Sequence, residues 1–240
     1  MRILAIETST MLGGVAIMDE SEGLLAELRL NIKSTHSERL LTGINLLLQQ
    51  AGMKIQDIDV LGVASGPGSF TGLRIGLSTI KGFSFATGKP IVSVPTLEAF
   101  AWNFSCSKHP ICIMLDARKK EVYAAVFRWR KKGFDNVIDA TAIDPVTLLR
   151  SLADEPVIFA GEGALLYRDT IIEMIGENAI FAPPHKAVPS PSNVAYLGLG
   201  KAKDREFSEP LNLVPSYFRK SEAEIKIRKD REEDTHTRYA

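Results

Sequence analysis

The chain has little from which to build a metal or redox centre. Its two cysteines, Cys106 and Cys112, and its four histidines, His36, His109, His185 and His236, are scattered over 240 residues. No metal-ligand or redox spacing joins them, so the cysteines read as reduced thiols of a cytosolic protein. Net charge is missing too: 29 basic residues balance 29 acidic ones. That speaks against a stand-alone nucleic-acid binder, which normally carries a basic excess. No apolar run is long enough to span a membrane, and the N-terminus has no charged-then-apolar leader pattern. Two phosphate-binding signatures are also absent. No glycine loop ends in Gly-Lys-Ser/Thr, and Thr71 stands where Gly-x-Gly-x-x-Gly needs its third glycine. What is present is 45% hydrophobic residues, ample for the core of one large or two small domains.

The chain is organised around Gly66 to Gly76, which follows an apolar run, Val60 to Ala64, that reads as a buried strand. Gly66-Pro67-Gly68 cannot continue that strand, so the chain turns. Ser69 is placed as an N-cap, and the pattern from Phe70 to Ala86 is helical until Gly88-Lys89-Pro90 stops it. Gly72, Gly76, Thr79 and Phe83 fall on one helix face. Each mid-helix glycine costs roughly 1 kcal/mol against alanine, and close approach of another helix or backbone is the usual compensation. A close-packed face is therefore favoured over a phosphate cradle.

The flanking segments make a repeat. Ile3 to Ile6 is an apolar strand ending in Glu7-Thr8-Ser9-Thr10. Gly13-Gly14 reads as the turn, with Val15 to Met18 and Leu24 to Leu30 as the next strands. Thr35 to Gly52 is a helix opened by a Thr35/Glu38 capping box, with Leu40, Ile44, Leu47 and Ala51 as its stripe and Leu46 off it. Ile91 to Val94 is a strand and Thr96 to Phe104 a helix, with Pro95 at its start. The pattern then restarts: Cys112 to Asp116, a turn over Ala117 to Lys120, Val122 to Phe127, then Phe134 to Ala142. Glu7 stands seven residues before Gly14, as Asp116 does before Tyr123. A short helix after Asp144-Pro145, a strand Val157 to Ala160, a helix to about Ile175 and a last helix Ser190 to Lys203 complete the second half. The expected division is residues 1–108, residues 109–219, and a charged, disordered tail 220–240. Arg128, Arg130, Lys131 and Lys132 read as a solvated hairpin tip rather than a phosphate contact.

Two duplicated meander-plus-helix halves, each with an acid after its first strand, resemble the actin, Hsp70 and sugar-kinase superfold (ASKHA), an α/β class with two mixed β-sheets flanked by helices. There the two strand turns clasp ATP phosphates. The resemblance assigns Glu7, Thr8, Ser9, Thr10 and Asp116 to the equivalent cleft. It is a vestigial one, because Asp116-Ala117-Arg118-Lys119-Lys120 has no glycine to admit phosphate, so Glu7 and Asp116 read as holding nearby amides and hydroxyls rather than as a catalytic acid pair. More narrowly, Ile6-Glu7-Thr8-Ser9, Gly66 to Arg74, Val94-Pro95-Thr96-Leu97-Glu98-Ala99 and Pro215-Ser216-Tyr217-Phe218-Arg219 are similar to motifs of the TsaB (YeaZ) family.

That resemblance implies a cytoplasmic, non-catalytic subunit of the complex that makes N6-threonylcarbamoyladenosine in tRNA. It would support the catalytic paralogue TsaD together with the ATPase TsaE, meet tRNA through the complex, and form a homodimer when alone. ATP and metal would reside on the partners, with none expected on this chain. TsaD holds its metal with a His-x-Glu-Ala-His-type motif. The matching stretch here is Thr96-Leu97-Glu98-Ala99-Phe100, with neither histidine. The family's partner contact uses the first helices of the N-terminal half, which points to Leu40, Ile44, Leu47, Gly72, Gly76 and Thr79. Two other classes stay open: an ATP-dependent enzyme of the sugar-kinase type, and a glycoprotease-like metallopeptidase.

Overall fold

A computed structural model of the chain describes residues 1–31, 36–216 and 218, with nothing said of the side chains at 31 and 36–39. The Thr35/Glu38 capping box, the tail 220–240 and part of the Pro215 motif lie outside the described residues.

The chain opens as an antiparallel meander, β1 (Arg2–Glu7), β2 (Leu12–Asp19) and β3 (Gly23–Asn31). Then come α1 (His36–Gln50), β4 (Val60–Ala64), α2 (Phe70–Thr87), β5 (Ile91–Val94) and α3 (Thr96–Ala101). β4 and β5 add in parallel beside β1. Parallel strands buried on both faces read as unbroken apolar runs, as Val60 to Ala64 does. The second half repeats the plan. β6 (Ile111–Arg118), β7 (Glu121–Arg130) and β8 (Gly133–Ile143) form its meander. α4 (Pro145–Arg150), β9 (Val157–Ala160), α5 (Glu162–Leu166), α6 (Arg168–Ile175), β10 (Ala179–Phe181) and α7 (Pro191–Lys203) follow. The first sheet runs β3-β2-β1-β4-β5, and the second, read from its far edge, β8-β7-β6-β9-β10. The two orders are the same, so the duplication is one of topology, and the fold is the actin, Hsp70 and sugar-kinase type.

Local details depart from the sequence reading for identifiable reasons. Gly13 and Gly14 lie inside β2, and the turn is at Thr8 to Met11. A Cβ on Gly14 would meet the Leu28 carbonyl oxygen at 2.6 Å, so the glycine serves a close strand approach. Glu7 faces Gly14 across its ladder, whereas Asp116 faces Val122, because the register shifts between Asp116 and Arg118. Pro95 is the N-cap of α3 rather than its first helical residue. The helix expected to reach Ile175 breaks at Tyr167 into α5 and α6. β10 is too short to carry a pattern and was not expected.

The two halves of the sequence exchange helices. α3, made early, places Leu97, Phe100 and Ala101 in a core with Ile111, Ile113, Leu115 and Phe127 of the second sheet. α7, made last, places Val194, Ala195, Leu199 and Ala202 against Ile3, Ala5, Val92 and Val94 of the first. Burying one leucine and one valine contributes about 3–6 kcal/mol, comparable with the stability of a whole domain. Each lobe therefore takes one covering helix from the other half of the sequence. Cys112 is buried in the second lobe, where burial pushes its thiol far above the ordinary range. It serves as a core residue.

Candidate functional site

The glycine loop and the first strand turn form one unit. Ser69 caps α2 by accepting the Gly72 amide at 3.3 Å. Its own amide donates to the Ser9 carbonyl at 2.6 Å. Gly66 adopts φ 109°, a conformation that only glycine takes readily. It makes a reciprocal pair with Thr96: the Gly66 amide donates to Thr96 Oγ1 at 3.1 Å, and the Thr96 amide to the Gly66 carbonyl at 2.9 Å. The Ser216 amide donates to the Ser65 carbonyl at 2.7 Å. The loop is thus fastened to the first turn, to α3 and to the C-terminal segment.

The partner of the glycine face is the Thr8–Ser9 turn. A Cβ on Gly68 would overlap Ser9, one on Gly72 the Thr8 carbonyl oxygen, and one on Gly76 the Thr8 hydroxyl. Glu7, Thr8, Ser9 and Thr10 are at most 7% exposed beneath this cover. Glu7 Oε1 accepts the Ser9 amide at 2.5 Å. Its Oε2, Thr8 Oγ1 and Ser9 Oγ are buried with no hydrogen-bond partner among the described residues. Burial raises the Glu7 pKa to about 7, and the Ser9 contacts offset only part of that.

The residues assigned to a vestigial nucleotide cleft divide between the ends of β1 and β6. Glu7 to Thr10 present almost no surface to a nucleotide, because α2 lies on them. Asp116 is on the second sheet, where it accepts the Arg118 amide at 2.8 Å and pairs with that guanidinium at 3.1 Å. Burial first, and then the Asp116 charge, raise the pKa of Glu162 nearby. Five of the six residues assigned to a partner contact are covered within the chain itself. Leu40, Ile44 and Leu47 are buried in the core of their own lobe, and Gly72 and Gly76 sit on Thr8, so an amphipathic stripe here serves its own core. Thr79 is half-buried.

The surface of the same two helices carries what the sequence reading underweighted. Leu41 is 54% exposed, Leu46 46% and Phe85 95%. Leu41 and Phe83 border a groove of about 380 Å³ between the helices, with Leu48 and Met53 at its floor. An exposed leucine is common, but a phenylalanine bare on a well-formed helix is not. Phe85 was legible as an apolar residue off the Gly72–Gly76 face.

The stretch matching a metal motif is fully used for structure. Thr96 is buried and committed to Gly66, and Phe100 is buried in the core against the second sheet. Neither offers a donor to a metal, and Glu98 lies within the field of Lys201. Among the described residues no three His, Cys, Asp or Glu side chains are grouped to hold a metal ion, and no helix is long and apolar enough to cross a membrane. The basic stretch lies at the β7–β8 hairpin tip, where Arg128 pairs with Glu155, and Arg130 with Asp135 at 3.5 Å.

Comparison with known proteins gives concordant matches. The family model described as TsaD, tRNA N6-adenosine threonylcarbamoyltransferase, matches residues 24–227. The tRNA threonylcarbamoyladenosine biosynthesis protein TsaB of Bacillus subtilis is 32% identical over 228 residues, covering 94% of this chain and 97% of that protein. The TsaB of Haemophilus influenzae is 26% identical over 234 residues, with 90% and 93% covered. A crystal structure from Pseudomonas aeruginosa, of a protein with similarity to peptidase YeaZ, superposes with TM-score 0.78 at 24% identity, over 91% of this chain and 99% of that one. It shares the fold.

Proposed function

Since the chain belongs to the TsaB (YeaZ) family of tRNA threonylcarbamoyladenosine biosynthesis, we propose that it is the non-catalytic subunit of the modifying complex. It binds and supports the catalytic paralogue TsaD, works with the ATPase TsaE, and acts in the cytoplasm on tRNA held by the complex. One observation carries this reading. Where the paralogue's motif has its two histidines, this chain has Thr96 and Phe100, and both are buried in structural roles. The transferase fold is retained, while its metal position is filled by packing and by a loop-holding hydrogen bond. The covered Glu7–Thr10 turn supports the same reading, because it gives a nucleotide no surface to contact.

The contact surface we assign is the exposed side of α1 and α2, with Leu46 and Phe85 as its apolar anchors. The same surface serves a homodimer when the chain is alone. Large apolar side chains left in water lose that exposure on docking, at about 25 cal/mol per Å². The test is light scattering of the chain mixed with its cognate TsaD. We expect a heterodimer with the wild type and at least a tenfold weaker one with Leu46→Asp and Phe85→Asp. Thermal melts of both variants should stay close to wild type, because neither side chain is buried. If both variants bind unchanged, the contact lies elsewhere. If wild type ignores TsaD and the chain hydrolyses ATP alone, the subunit reading falls.

A further inference from the structure

Where the two lobes meet, an aromatic cluster opens onto a groove. Trp102, on the short 3-10 turn after α3, lies edge-on to Trp129 at 5.4 Å and to Phe134 at 5.8 Å. It also lies 4.8 Å from the tilted ring of Tyr196 on α7. Joining the β7–β8 hairpin to α7 is the ordinary use of such a cluster, and it explains the buried parts of the rings. It does not explain Tyr196, which stays 52% exposed. Tyr196 and Trp102 open together onto a groove of about 430 Å³, bordered by Met18, Gly23, Lys132 and Lys203.

Charge at the groove is unequal. Of its four charged lining residues, Asp19 is paired with Arg2 at 3.2 Å, and Glu20 with Lys203 at 2.9 Å. Lys132 has no opposite charge within ion-pair reach among the described residues, and the exposed Lys131 adjoins it on the hairpin tip. The groove is an aromatic platform beside the uncommitted Lys132.

We propose that this groove binds single-stranded RNA, with a base stacked on Tyr196 and Trp102 and the adjoining phosphate on Lys132. Unstacked bases are taken up on aromatic faces because every base has a π-face, and lysines track the backbone beside them. The inference rests on the proposed function only in taking tRNA as the RNA concerned. The chain's zero net charge fits a weak contact that supplements a complex rather than one that captures RNA alone.

The chain has two tryptophans, both in this cluster, so intrinsic fluorescence reads the site directly. The full chain alone is titrated at low salt with an RNA stem-loop, with the same sequence as continuous duplex, and with a proline-rich peptide. The stem-loop should quench the tryptophans more strongly than the duplex does. Tyr196→Ala should weaken binding about tenfold through lost stacking. Lys132→Glu should weaken it less and lower the salt slope by about one. Both sites are exposed, and circular dichroism verifies the fold of each variant. No quenching by RNA, quenching unaffected by both variants, or quenching by the peptide alone overturns the proposal. Because TsaD is not in the titration, any of those results leaves the subunit reading standing or falling on its own test.

Discussion

Glu7 ends the central strand of the first sheet with its carboxyl fully buried and one oxygen unpartnered among the described residues. Its pKa is raised from 4.5 to about 7, chiefly by burial. Below pH 4.5 the folded and unfolded chains both hold this proton. Between 4.5 and 7 only the folded chain keeps it, so this group's contribution to stability falls as pH rises through that window. Above 7 the deficit is constant, about 3 kcal/mol. Glu7→Gln should therefore flatten the dependence of the melting temperature on pH between 5 and 7 and raise it at pH 8. Melts of both proteins at pH 5 and pH 8 check this, and an unchanged slope in the variant refutes it. The sequence located this acid at the strand end of a vestigial cleft, where it was expected to hold nearby amides and hydroxyls, and it does hold the Ser9 amide. Its cover comes from Gly68, Gly72 and Gly76, distant in the chain, and no local pattern around Glu7 announces them.

At the scale of elements, α2 contains three helical glycines in different surroundings. Gly72 and Gly76 press on Thr8, while a Cβ on the exposed Gly82 meets nothing. Gly72→Ala should lose roughly 1–3 kcal/mol, because a carbonyl oxygen of the buried turn must move. Gly82→Ala should gain about 0.5–1 kcal/mol from helix propensity and a less flexible unfolded chain. Urea unfolding separates the two, and a destabilised Gly82→Ala would contradict this account of the helix. Most elements were legible. Ser69 and Gly88 cap α2 as their types require, and Asp144 caps α4 by accepting the Thr147 amide at 2.8 Å. The spacing of Gly72 and Gly76 revealed a close-packed face but not its partner. Helical periodicity says which residues share a side, and a tightly apposed turn and a second helix call for the same small residues. Leu40, Ile44 and Leu47 pack in the chain's own core, and the sequence alone does not say so, since an apolar stripe looks the same whether it meets its own sheet or another chain.

The whole molecule is two sheets of one topology closed by exchanged helices. A fragment of residues 1–108 leaves Ile3, Ala5, Val92 and Val94 without the helix that covers them. It also leaves Leu97, Phe100 and Phe104 without the second sheet. Such a fragment should lack a cooperative melt and bind a hydrophobic dye, whereas the full chain should melt in one transition. A sharp melt for the fragment would show that the exchange is dispensable. The repeat itself was legible in the paired acids and meanders. The exchange was not, because α3 and α7 have ordinary amphipathic patterns that do not say which sheet they meet. Gly198 gives the nearest signal: a Cβ there would press on Ile3 Cδ1 at 2.6 Å, and Ile3 belongs to the first strand of the chain.

That exchange bears on how the chain is made. Synthesis delivers domains from the N-terminus, and they commonly close as they emerge from the ribosome. Here the first sheet stays open on one face until Val194 to Ala202 have been translated, whereas the second lobe has its sheet and the α3 cover in hand by about Phe181. The later-made lobe can close first, and the N-terminal strands wait for α7 before Ile3, Ala5, Val92 and Val94 are covered.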